Sequence, residues 1–78
     1  MKRLLAWVEK ILSVPVVQAV DTLTGNSIAV GKVFYAGKSR LVVVAFEETA
    51  ENIRIITVHP IRASQYWLRL QSGRWKKK

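Results

Sequence analysis

Six consecutive apolar residues, Leu41-Val42-Val43-Val44-Ala45-Phe46, stand between a tight-turn signal at Tyr35-Ala36-Gly37-Lys38 and the polar run Glu47-Glu48-Thr49-Ala50-Glu51-Asn52. A strand with one wet face alternates apolar and polar residues, whereas a strand without alternation is covered on both sides. The run therefore predicts a central strand with material packed on each face, and the polar run after it reads as a solvated hairpin tip. The chain has 78 residues. A chain near that length buries only about 60% of the surface its unfolded form exposes, so it supports one core and one domain.

Ahead of this strand, Leu4, Leu5, Val8, Ile11 and Leu12 recur at i, i+1, i+4, i+7 and i+8, one apolar stripe on a 3.6-residue period. This predicts an amphipathic helix ending near Ser13, because Pro15 disfavours the α conformation at Val14. Residues 16–21 are β-rich, with a helix over residues 16–20 as the minority alternative. Residues 21–27 are dense in turn formers, with Gly25-Asn26 able to take positive φ. In the returning segment Ile28, Val30, Val33 and Tyr35 change parity across Gly31, which predicts a β-bulge there.

After the hairpin tip, Ile53-Arg54-Ile55-Ile56-Thr57-Val58 returns as a strand, and Pro60, which lacks an amide donor, is expected to end the ladder. Residues 61–70 read as a short helix or an extended edge. A helix would place Arg62, Tyr66 and Arg69 on one side, and Ser72-Gly73 would break it. Trp67 and Leu70 are expected to close the small core. The fold class is α+β: an N-terminal helix packed on a four-stranded, mainly antiparallel twisted sheet, with a short C-terminal helix or extended basic tail. Residues 1–75 form the domain and residues 76–78 a flexible basic tail.

Net charge is +8, and its distribution is uneven. Residues 1–53 hold six Lys and Arg against all five Asp and Glu, a balance of +1, while residues 54–78 hold seven Lys and Arg and no acid. A field of one sign attracts a polyanion: nucleic acid, an anionic membrane or an acidic protein. The absence of cysteine excludes a disulfide framework, a thiolate zinc site and a cysteine nucleophile. No apolar run approaches the roughly 20 residues that span a bilayer, so a soluble, cytoplasmic protein is expected.

His59 is the one histidine, placed where a strand meets a proline-directed turn, close to Arg62 and Tyr66. It reads as a general acid or base beside phosphate-binding cations, or as a strand-end histidine bonded to backbone. One histidine without cysteine or clustered carboxylates offers too few ligands for a metal, and no cofactor is expected. Arg62, Arg69 and Arg74 match phosphate through the planar guanidinium fork, and Tyr66, Trp67 and Trp75 interleave with them as base-stacking aromatics do. Gly25 and Gly37 lie in no phosphate-loop pattern, and Ser39, Ser64 and Ser72 lack a nucleophile-elbow context.

Three segments, Gly37-Lys38-Ser39-Arg40-Leu41-Val42-Val43-Val44, Ile53-Arg54-Ile55-Ile56-Thr57-Val58-His59-Pro60 and Ser72-Gly73-Arg74-Trp75, resemble the small ribonuclease toxins of the RelE/BrnT-like group over roughly residues 28–75. The resemblance implies a helix preceding a twisted antiparallel sheet, and metal-independent RNA cleavage by attack of the RNA's own 2′-hydroxyl. It implies His59 as acid or base, Arg62 and Arg74 as charge stabilisers, and Tyr66 or Arg69 as a further contact. Lys38 and Arg40 would hold RNA from the hairpin side, with Arg54, Arg69, Trp75, Lys76, Lys77 and Lys78 completing the nucleic-acid surface. Implied partners are RNA and an acidic antitoxin protein, with a homodimer as a further option. A non-catalytic nucleic-acid-binding module using the same cationic face is the rival reading.

Overall fold

The computed structural model describes residues 2–78, with the side chains of all but residues 2–5 and 35. The expected roles of Leu4, Leu5 and Tyr35 in the apolar pattern fall outside the described side chains. The element order is α1 (Lys2–Ser13), β1 (Val17–Asp21), β2 (Ser27–Tyr35), β3 (Lys38–Glu48), β4 (Ile53–Ile61), α2 (Ala63–Gln71) and β5 (Trp75–Lys77). Among the described residues the strands form one sheet in the order β4-β3-β2-β1-β5, with every neighbouring pair antiparallel. The α+β class stands, with one strand more than the four expected.

That additional strand is the segment read as a basic tail. Lys76 pairs with Val20 and Lys77 with Ala19, while the Lys78 amide donates to the Gln18 carbonyl at 3.0 Å. The tail is ordered because β1 would otherwise leave a row of backbone groups unpaired at the sheet edge. β4 and β5 lie at opposite edges, so α2 spans the sheet between them. Gly73, at φ 81°, takes the left-handed conformation that ends α2 and turns the chain into β5.

The central strand is β3, as its unbroken apolar run predicts. Val42, Val44 and Phe46 face α1 and join Val8, Ile11, Ala29 and Val33. Val43 and Ala45 face α2 and join Ala19, Ile28, Val30, Ile61, Tyr66 and Trp75. Each fully buried aliphatic side chain contributes about 1.5–3 kcal/mol, so these two thin layers carry the fold together.

The parity change at Gly31 reflects this double coverage and not a bulge. β2 pairs with β3 in unbroken register from Ser27 to Tyr35, and Ile28 and Val30 face α2 while Ala29 and Val33 face α1. Gly31 is there for space: a Cβ on it would lie 2.6 Å from Ile11 Cγ1. The sheet's register shift lies elsewhere, between Ala45 and Phe46, where Thr57 and Ile55 pair and Ile56 is the extra residue. The ladder also runs past Pro60 to Ile61. An edge strand directs alternate amides away from the ladder, so a proline at such a position removes no bond.

One core assignment changes. Trp67 is 57% exposed and Leu68 64%, whereas Tyr66 and Trp75 are buried and Leu70 is packed against them. A 3.6-residue period that directs Tyr66 and Leu70 inward turns their neighbours Trp67 and Leu68 outward.

Candidate nucleic-acid interface

On the α2 face the sheet carries a groove of about 220 Å³ whose floor is Ile28, Val43 and Ala45. Thr57 and His59 of β4 line one side. Across from them lie Arg69 of α2 and Arg74 of the link into β5, with Thr24 and Asn26 of the β1–β2 turn at the end. β4 supplies His59 to this face because its register places His59 opposite Val43 and Thr57 opposite Ala45. Residues 15 positions apart in the chain, His59 and Arg74, thus share one concavity.

Both arginines of the groove are held in place. The Arg69 guanidinium carbon lies 5.1 Å from the centroid of the Trp75 ring, in a cation–π arrangement. Arg74 Nε lies 3.5 Å from Asp21 Oδ2, an ion pair longer than a good hydrogen bond. Asp21 is 5% exposed and is the buried charged residue of the described chain. Its other oxygen, Oδ1, accepts from the Leu23 amide at 2.9 Å and the Thr24 amide at 3.3 Å. Its carboxylate is therefore engaged on both sides, as a buried charge requires.

The same turn fastens the backbone of Arg74. The Thr22 amide donates to the Arg74 carbonyl at 2.7 Å. The Thr22 hydroxyl lies 3.0 Å from both the Gly73 and Arg74 carbonyls, and donates to one of them at a time. Arg74 keeps 42% of its side chain exposed, and its terminal nitrogens have no partner among the described residues. The guanidinium thus offers its fork to an anion in the groove.

The other candidates fall elsewhere. Arg62 is the N-cap residue of α2 and lines a second, larger cavity of about 500 Å³ with Ser39, Arg40 and Gln65. Its one-sided alignment with Tyr66 and Arg69 fails because Arg62 precedes the helix. Tyr66 is a core residue, its ring 5.4 Å from that of Trp67. Trp75, 1% exposed, is closed to a base and serves as the platform under Arg69.

Three of the seven cations of the C-terminal third pair with acids from residues 1–53, Arg74 with Asp21 as above and two others. Arg54 pairs with Glu47 at 3.5 Å and Lys78 with Glu48 at 3.7 Å, and Lys78 Nζ also donates to Ser27 Oγ at 3.2 Å. These exposed pairs contribute about 0–1 kcal/mol each. Lys76 shares the strand parity opposite to Trp75 and so lies on the α1 face; Lys77 shares the parity of Trp75. Lys38 and Arg40 also have α1-face parity, with Val42. The expected single cationic surface is thus divided between two faces.

Sequence reasoning missed Asp21, which it read as a turn former, and Asn26, Thr24 and Thr57. The available signal for Asp21 was its place as the last residue of a β segment with no other acid between Glu9 and Glu47. Among the described residues no three His, Asp or Glu side chains gather in metal-binding arrangement, and no helix is long and apolar enough to cross a membrane. The chain matches no family model, no curated protein and no solved structure.

Proposed function

We propose that the α2-face groove binds RNA in the cytoplasm and cleaves it in the manner of the RelE/BrnT-like toxins, by attack of a 2′-hydroxyl on the adjacent phosphate that breaks its bond to the next nucleotide's 5′-oxygen, leaving a 2′,3′-cyclic phosphate and a 5′-hydroxyl. The observation that carries this reading is the convergence of His59, Arg69 and Arg74, from three separate elements, on one concavity. Arg74 and Arg69 hold the phosphate and stabilise its added negative charge, and His59 takes or returns the proton. Asn26, Thr24 and Thr57 supply hydrogen-bonding groups at the rim. An acidic antitoxin protein would bind the same cationic groove and close it.

A second reading, a binding module that does not cut, is favoured by one specific observation. Arg62 and Tyr66 stand outside the groove, and Asp21 is already engaged, which leaves His59 as the groove's unassigned acid–base group. Incubation of purified protein with single-stranded RNA in chelator separates the two. The cleavage reading predicts products with a cyclic phosphate end, lost in His59→Ala while RNA affinity is kept. Intact RNA at high protein, or cleavage unchanged in His59→Ala, contradicts it.

A further inference from the structure

Asp21 and Trp75 are direct cross-strand partners in the β1–β5 ladder. One holds Arg74 by its Nε and the other lies under the guanidinium of Arg69. Both are among the most buried residues of the chain, at 5% and 1% exposure. We propose that this Asp21–Trp75 pair is a positioning platform that presets the two groove arginines for an anionic ligand. The inference rests on the reading of the groove as an RNA site and names the residues that set its geometry.

Two features separate this from ordinary core packing. Trp75 Nε1 is buried with no acceptor among the described residues, and an unsatisfied buried donor is a cost that phenylalanine at the same position would remove. Beyond the larger volume it buries in the core, tryptophan supplies a stronger cation–π surface than phenylalanine. Asp21 sets a negative charge against a cationic groove, which opposes anion binding by simple electrostatics. Its place there is explained by what it does to Arg74: contact through Nε restrains the guanidinium while leaving the terminal nitrogens for a ligand. A restrained fork loses less freedom on binding than one that must be ordered by the ligand itself.

The test exploits that opposition of sign. Asp21→Asn keeps an oxygen to accept from the Leu23 and Thr24 amides, so the turn retains its hydrogen bonds, while net charge rises by one. Anisotropy titrations with a short fluorescein-labelled single-stranded RNA would compare native protein, Asp21→Asn, Arg74→Ala and the double variant, with circular dichroism confirming the fold of each. The platform predicts that Asp21→Asn binds about tenfold more weakly in spite of its extra positive charge, and that the loss vanishes in the Arg74→Ala background. Tighter or unchanged binding by Asp21→Asn, or an equal loss in both backgrounds, overturns it. Trp75→Phe provides the independent arm: it should weaken binding several-fold in native protein and have no effect in Arg69→Ala. Arg74→Ala binding as tightly as native protein would instead defeat the RNA reading of the groove, a result distinct from failure of the platform alone.

Discussion

On the α2 face of the sheet two cations are fastened, Arg74 to Asp21 and Arg69 over Trp75, around a concave floor. On the α1 face Lys38 and Lys76 are exposed side chains without partners among the described residues, and the concavity there is lined by Arg40 and His59 as well as by Trp7, Val33, Val42, Val58 and Pro60. Charge of one sign is present on both faces, and on the first the two arginines that line the groove are held against Asp21 and Trp75. A restrained guanidinium selects a geometry, while a mobile lysine contributes a general field that salt screens. The difference teaches that net charge points only to a class of partner, whereas strand parity and the buried Asp21 single out the groove proposed as the site.

The comparison breaks most visibly at the α1 face if packing there also governs binding. Gly31→Ala should destabilise the fold by about 1–3 kcal/mol, because its Cβ meets Ile11 at 2.6 Å. Thermal unfolding would register the loss. RNA affinity of the folded protein should be unchanged; a parallel loss of affinity would show that the two faces are not independent. A smaller effect sharpens the other half of the comparison. Arg54→Ala removes an exposed pair with Glu47 and should change stability by under about 1 kcal/mol. It should also leave RNA affinity near native at moderate salt, since Arg54 does not line the groove.

The sequence made the sheet legible where the physical signal was local. β3 was read from its lack of alternation, α1 from its 3.6-residue stripe, and the β2–β3 turn from Ala36-Gly37, both now seen at positive φ. Features that depend on long-range packing were not legible. The spacing at Gly31 implied a bulge because coverage of β2 on both faces by distant elements could not be read from β2 itself. Trp67 and Trp75 carry the same side chain, and only the end of α2 at Ser72 and the pairing of β5 with β1 decide which of them is buried.

The candidate site shows the same division. His59, Arg69 and Arg74 were visible as chemistry-bearing residues, but Arg62 and Tyr66 were grouped with them by proximity in the chain, and Trp75 was read as a base-stacking ring where it is the surface under Arg69. Strand alternation divides Trp75 and Lys77 from Lys76, and the helix start removes Arg62. The acids Asp21, Glu47 and Glu48 return to the C-terminal third only through sheet pairing. A charge run along a β chain is therefore not a charged surface.

The central claim, that the fastened arginines of the α2 face form the polyanion site, is tested most directly by two double variants of equal charge. Arg69→Ala with Arg74→Ala and Lys38→Ala with Lys76→Ala each lower the net charge by two, so a diffuse electrostatic attraction would treat them alike. RNA titrations over a range of salt concentrations should show the arginine pair losing about 10- to 100-fold in affinity, with a shallower salt dependence, and the lysine pair losing only a few-fold. Equal losses in the two variants would contradict the account.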